Sequence, residues 1–213
     1  MKSYPSIDGP FKAPKEPCYA FVKYDGSNLR FEWSPKRSWY KFGTRKTMID
    51  DSHFVYGSAI TLFLDKYGDD LERAFKTEKS FHGVQSVVVY AEWFGANSLA
   101  GAHKPWEPKD IVVFDVNLHK KGLLSPKEFI DIFGHLNIAE VVWQGTLDDD
   151  FVQSVREETI DVESKYPIRA VVPEGVVCKG SSRHNLWMCK IKTERYKDAL
   201  KQVHDRDWER YWE

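Results

Sequence analysis

The sequence predicts an α+β fold with largely antiparallel sheets, and three observations carry that expectation. Strand-like runs predominate, and the first three follow one another across short turns. Only a few segments have helical spacing or a helix-start signal. Of the 213 residues 42% are hydrophobic and 15% aromatic, ample for a real core.

In chain order, the first 17 residues are rich in Pro and Lys and read as an irregular leader. Tyr19 to Lys23 and Leu29 to Trp33 alternate as two strands around Asp25-Gly26-Ser27, and Trp39 to Phe42 forms a third beyond the basic loop Ser34 to Ser38. Ile60, Phe63, Leu64, Tyr67 and Leu71 fall at helical spacing within Ser58 to Phe75, so that stretch is expected to be a helix packed on a sheet. Val87 to Phe94 and Ile111 to Val116 are β-like. Ser125-Pro126-Lys127-Glu128 is a capping box with proline at the first helical position, which starts a helix over Pro126 to Leu136. Leu147 to Glu158 is expected to be another helix, Val171 to Lys179 and Leu186 to Lys192 the last strands, and Thr193 to Glu213 a terminal helix. The length suits one domain over 1–213.

The formal net charge is −1, so any grip on phosphates must come from local clusters of Lys and Arg. Cys18, Cys178 and Cys189 have neither an even count nor CxxC spacing; this fits a reducing cytoplasm and argues against a disulfide framework or zinc ribbon. The N-terminus has no apolar signal region, and no stretch approaches the roughly 18 apolar residues of a membrane span. The expectation is a soluble cytoplasmic protein, in the host cytoplasm if phage-encoded.

Several strands carry ions where apolar side chains are expected. Lys23 ends the face shared by Tyr19 and Phe21. Desolvation there would lower its pKa from about 10.4, toward the neutral amine that attack on phosphorus requires. Taken alone, Asp25-Gly26 reads first as a hairpin turn with a solvated lysine beside it. Glu92 interrupts an apolar strand, Asp115 follows Phe114 in another, Glu174 opens a third, and Lys190 and Lys192 extend the face of Leu186 and Met188. One such ion could be an edge device. Repeated over several strands, buried charge is costly unless it is paired or binds a ligand.

Lys23-Tyr24-Asp25-Gly26, Glu92-Trp93-Phe94-Gly95, Phe114-Asp115-Val116, Glu174-Gly175-Val176-Val177 and Lys190-Ile191-Lys192 stand in that order. In this the chain resembles the covalent nucleotidyltransferase superfamily of ATP-dependent ligases and mRNA-capping enzymes. Asp25-Gly26-Ser27-Asn28, the basic run Lys41 to Lys46, and Ala91-Glu92-Trp93-Phe94-Gly95 make it most similar to the RNA ligase 2 type. That resemblance implies an ATP-grasp-like nucleotidyltransferase domain and an ATP-dependent RNA ligase, serving nick sealing and RNA repair. Three steps follow: lysyl-AMP formation, AMP transfer to a 5′-phosphate, and 3′-OH attack with release of AMP.

By the same resemblance Lys23 is the adenylated nucleophile, and Lys190 and Lys192 hold the α-phosphate. Glu92 takes the ribose, Phe114 stacks on adenine, and Tyr24, Asn28 and Arg45 complete the nucleotide and phosphate contacts. Glu174 helps hold Mg²⁺ or Mn²⁺. Lys36, Arg37, Lys41 and Lys46, interleaved with Trp39, Tyr40 and Phe42 in one basic hairpin, are candidates to grip nucleic acid; an ordinary solvated hairpin is the alternative. Trp208, Tyr211 and Trp212 are read as packing, and the seven histidines as structural or surface groups.

The expected partners are nicked or duplex RNA, with an RNA/DNA hybrid or DNA as further substrates, no membrane, and a monomeric chain. About twenty residues follow Lys192, too few for an OB-fold or a second C-terminal domain, so the expectation is a bare catalytic domain, with end recognition open to a partner. An ATP-dependent DNA ligase, an mRNA guanylyltransferase and a non-catalytic module that binds nucleic-acid ends are the rival readings.

Overall fold

A computed structural model of the chain describes residues 1–96, 105–160, 174–182 and 185–212. The strands are β1 (Pro17–Lys23), β2 (Gly26–Ser34), β3 (Ser38–Thr44), β4 (Met48–Ile49), β5 (Val87–Phe94), β6 (Asp110–Leu118), β7 (Gly122–Leu123), β8 (Val141–Thr146), β9 (Gly175–Ser182) and β10 (Asn185–Lys192). The α-helices are α1 (Gly57–Phe63), α2 (Asp69–Thr77), α3 (Pro126–Phe133), α4 (Asp149–Arg156), α5 (Glu194–His204) and α6 (Glu209–Trp212). The α+β expectation holds: there are two sheets, and the β1–β8, β1–β9, β9–β10, β2–β3, β3–β4 and β6–β7 pairs are antiparallel. The backbone forms two compact units.

The first unit comprises Met1–Pro5, Ser27–Trp93 and Asp110–Ile138. Its sheet runs β4-β3-β2-β5-β6-β7. Alternation in β2 aims Leu29, Phe31 and Trp33 at the helices, where Phe31 stacks on Phe63 at 3.6 Å and Trp33 meets Phe75 at 5.3 Å. Each such ring contributes up to about 4–6 kcal/mol of burial, from roughly 150–250 Å² at about 25 cal/mol/Å². The helix expected over Ser58 to Phe75 is present, but a π-turn at Leu64–Gly68 separates α1 from α2. The Trp39 indole N–H donates to the Gly68 carbonyl inside it at 3.2 Å. The capping box starts α3 as expected: Ser125 Oγ accepts from the Glu128 N–H, and Glu128 Oε2 accepts from the Ser125 N–H.

Met1–Pro5 has no regular structure, yet it is tied down. Arg30 Nη1, on the β2 face opposite Phe31, donates to the Met1 carbonyl at 3.1 Å and to Ser3 Oγ at 2.9 Å. Tyr90 of β5 donates to the Lys2 carbonyl at 3.1 Å.

The second unit comprises Ser6–Gly26, Phe94–Lys109 and Ala139–Glu213, with the sheet order β10-β9-β1-β8. One sheet face forms the core: Cys18, Ala20, Val176, Cys178, Cys189 and Ile191 meet Leu147, Phe151 and Val155, the latter two on α4. All three cysteines are free and buried. The sequence reading did not anticipate β8, which pairs with β1 in the register Tyr19↔Gln144. The strand expected over Val171 to Lys179 starts at Gly175, and residues 171–173 lie outside the described ones. The terminal helix is interrupted. Asp205 adopts φ 45° and ψ −116°, outside the helical region, and α6 follows a 3₁₀ turn. Among the described residues no helix is long and apolar enough to cross a membrane.

Candidate active site

In the second unit the other face of the sheet carries the ions. Lys23, Gly175 and Lys192 are register partners across β1, β9 and β10. Gly175 sits at φ +141°, and a Cβ there would lie 2.0 Å from the Ile191 carbonyl oxygen, so only glycine lets β9 close on β10 here. No side chain stands between the two lysines on that row. Glu174, one residue earlier, fills the position between them.

Lys23 Nζ donates to Glu174 Oε2 at 2.7 Å, and Lys192 Nζ lies 3.0 Å from Glu174 Oε1. Glu174 is 5% and Lys192 8% exposed, while the Lys23 side chain keeps 24% of its surface open. Burial alone would raise the Glu174 pKa, but Lys23 and Lys192 hold it below the usual carboxylate value. Burial lowers the Lys192 pKa; Glu174 opposes this, and the charges of Lys23 and Lys190 reinforce it. With Lys190 adding a third positive charge, the cluster leans cationic and suits a phosphate.

Helix α5 supports this cluster. Thr193 caps it by accepting from the Tyr196 N–H at 3.1 Å, and the Tyr196 hydroxyl donates to Asp25 Oδ1 at 3.1 Å. Lys192 Nζ also donates to the Tyr211 carbonyl at 2.6 Å and lies 5.8 Å from the Trp212 ring centroid. Tyr24, expected at the nucleotide, is buried and stacks on Phe94 at 5.1 Å.

Sequence reasoning missed Lys179. It is 2% exposed, pairs in register with Tyr19 and Met188, and lies 4.6 Å from the Phe21 ring centroid, on the face of Lys23 and Lys192. The alternation Gly175, Val177, Lys179 held the signal.

The first unit holds the other expected residues. Glu92 and Phe114 lie on the neighbouring strands β5 and β6. Tyr4 sits edge-on to Phe114 at 5.0 Å and to Tyr90 at 4.9 Å, and its hydroxyl donates to Asp115 Oδ2 at 2.5 Å. Burial first, then the Asp115 charge, pushes the Tyr4 hydroxyl well above its ordinary pKa, with Glu92 adding to the shift. Tyr4 fell in the segment read as an irregular leader, where no pattern marked it.

Asn28 is on β2, and its buried Oδ1 accepts no hydrogen bond among the described residues. Arg45 donates to the Pro5 carbonyl at 2.8 Å. The four candidate nucleic-acid cations are not one hairpin cluster. Lys36 and Arg37 form the β2–β3 tip, Lys41 lies along β3, and Lys46 sits in the β3–β4 turn at the far end of the strand, about 20 Å away at roughly 3.4 Å per residue. Arg37 and Lys41 flank the Tyr40 ring at 5.4 and 5.1 Å.

The RNA ligase family model matches residues 16–201, a span that takes in Lys23, Glu174, Lys190 and Lys192. The chain belongs to the RNA ligase family. Among solved structures, this RNA ligase family chain is similar to Naegleria gruberi RNA ligase in several states. The form with AMP and Mn has a TM-score of 0.64 at 12% identity, covering 92% of this chain and 57% of that one. An apo mutant has a TM-score of 0.66 at 11% identity over 95% and 58%, and the form with PPi 0.61 at 12% over 96% and 58%. This likeness is one of fold, and the chain spans a little over half the length of those ligases. No curated protein matches it.

Proposed function

We propose that this chain is the adenylating part of an ATP-dependent RNA ligase that joins RNA 3′-OH and 5′-phosphate ends through a lysyl-AMP intermediate. The observation that carries this reading is the buried Lys23–Glu174–Lys192 cluster, in which one carboxylate holds two lysines 2.7 and 3.0 Å away.

In the first step Lys23 Nζ attacks the α-phosphorus of ATP. A P–N bond forms, the P–O bond to the leaving pyrophosphate breaks, and the amine proton departs. Glu174 Oε2 is the acceptor that already takes a hydrogen bond from Lys23. Lys190 and Lys192 hold the α-phosphate, where preorganised positive charge offsets the charge that develops at phosphorus. Phe114 stacks on the adenine and Glu92 takes the ribose. AMP then passes to an RNA 5′-phosphate, and the 3′-OH displaces it.

A divalent ion fits as a partner of the nucleotide rather than as a resident of a protein cage. Among the described residues no three His, Cys, Asp or Glu side chains come together to hold one. Mg²⁺ and similar ions are often bound by one or two carboxylates with phosphate oxygens and water. Glu174 would supply the carboxylate, and the bound ion would neutralise charge on the departing pyrophosphate.

The test supplies ATP, Mn²⁺ or Mg²⁺ and a nicked RNA duplex with 3′-OH and 5′-phosphate. The expected products are adenylated RNA, sealed strand and AMP. A protein that yields none of these, or acts on nicked DNA alone, overturns the reading.

A further inference from the structure

Lys192 is too enclosed to reach a phosphate as it stands. An ammonium group has three N–H donors. One faces Glu174 Oε1 at 3.0 Å and another goes to the Tyr211 carbonyl at 2.6 Å. The Tyr196 and Trp212 ring centroids stand 5.4 and 5.8 Å from Nζ, within cation–π range. The side chain keeps only 7% of its surface open, so a phosphate oxygen comes within hydrogen-bond distance only if one of these neighbours moves.

The neighbours differ in how firmly they are held. Glu174 is buried and bound to two lysines. Tyr196 is buried on α5, with its hydroxyl on Asp25. Residues 205–212 are held more loosely: neither the 3₁₀ turn Asp205–Asp207 nor α6 has a buried residue. Their contacts run back onto α5. Trp208 lies 5.3 Å from Lys201 Nζ, Trp212 5.2 Å from Lys197 Nζ, and Tyr211 stacks on His204 at 4.0 Å. The segment joins α5 at Asp205, whose φ 45° and ψ −116° match the first central residue of a type II′ turn. Glycine adopts that conformation freely, and aspartate adopts it under strain. A strained joint with few buried contacts beyond it marks a segment that opens locally at low cost.

We propose that residues 205–212 form a strap that competes with the nucleotide for Lys192. When the strap is docked, the Tyr211 carbonyl takes the donor that the α-phosphate needs; binding of ATP lifts it. This rests on the adenylation reading, in which Lys192 holds the α-phosphate. A carbonyl oxygen 2.6 Å from Nζ stands where a phosphate oxygen would stand, so the two exclude each other. Charge favours the exchange, since an ammonium group binds a phosphate oxyanion more strongly than a neutral carbonyl. Only the open form binds ATP, so the docked population weakens the apparent affinity in proportion.

The test compares the full chain with the double variant Trp208→Ala and Trp212→Ala, which removes the strap's two half-buried rings and no buried side chain. Two readouts need no catalysis. An ATP analogue with a methylene group in place of the α,β-bridging oxygen cannot release pyrophosphate. With Mn²⁺ present, its Kd by calorimetry should fall at least about threefold in the variant. Limiting acetic anhydride, followed by peptide mass spectrometry, should acetylate Lys192 more in the variant by a similar factor, because both readouts sample the open population. Equal Kd in the two proteins, or unchanged acetylation of Lys192, overturns the strap. Weaker binding by the variant also overturns it and makes Trp212 a support of Lys192. If the variant binds the analogue more tightly and is acetylated faster at Lys192, while neither protein forms lysyl-AMP from ATP, the strap stands and the adenylation reading fails.

Discussion

Glu174→Gln isolates the interaction on which the candidate site is built. The carboxylate is 5% exposed and serves two lysines at 2.7 and 3.0 Å. Removing one partner of a buried ion pair typically costs about 3–5 kcal/mol. Glutamine keeps a neutral acceptor and Lys23 is 24% exposed, so the expected loss is about 2–3 kcal/mol. For a chain of this size about 1 kcal/mol moves Tm by roughly 2–4 °C, which gives a fall of about 4–12 °C at pH 7. The pH dependence follows from the direction of each shift. The folded Glu174 pKa lies below its ordinary 4.5, so its contribution is present above that value and lost as pH falls through the folded one. The gap between wild type and variant should be full at pH 7 and close on acidification below about 4.5. It should also narrow at alkaline pH. Lys192, lowered already by burial, loses the opposing pull of Glu174 and sheds its proton earlier in the variant. Thermal unfolding followed by circular dichroism at pH 4, 7 and 9 reads this directly. A variant as stable as wild type at pH 7, or a gap that ignores pH, refutes the reasoning.

The remaining predictions concern the lysines, Tyr4 and the β2–β3 tip. Lys192→Ala should slow lysyl-AMP formation about 10²–10³-fold in a single-turnover assay. Lys201→Ala, which loses an exposed pair with Asp198 at 3.2 Å and a contact with the Trp208 ring at 5.3 Å, should stay within about twofold. Tyr4→Phe removes the 2.5 Å hydrogen bond to buried Asp115 and should lower stability by about 1.5–3 kcal/mol in urea unfolding; no change would place that bond outside the fold's support. Lys36→Ala with Arg37→Ala should leave lysyl-AMP formation intact but weaken RNA binding, and make the slope of log affinity against log salt shallower by about 1.4–1.8; an unchanged slope removes the tip from the RNA surface.

The parts of the fold visible in the sequence were those with local causes. Alternation marked β1 and β2, helical spacing marked α1 and α2, and the reciprocal capping groups of Ser125 and Glu128 marked the start of α3. β8 was invisible because its partner β1 lies more than a hundred residues earlier, and its own Val-Val-Trp-Gln-Gly-Thr run has an exposed end at Val141. The break in the terminal helix depended on the single backbone angle of Asp205.

The candidate site divided in the same way. Lys23 and Glu174 are 151 residues apart, and only the ordered set of motifs linked them in advance; geometry then added that Glu174 binds both lysines at once. Lys179 and Tyr4 were overlooked for opposite reasons. The first ended a strand read for its glutamate. The second sat in a segment whose order comes from contacts with Arg30, Tyr90 and Asp115 rather than from its own sequence.

The central claim is that Lys23 carries AMP. Purified protein incubated with divalent ion and ATP labelled at the α-phosphate should acquire an acid-stable phosphoramidate label that maps by mass spectrometry to Lys23. Lys23→Arg should abolish it, since a guanidinium, with a pKa above about 12, keeps the charge but cannot supply a neutral amine. A label that persists in Lys23→Arg, or maps to another lysine, contradicts the account.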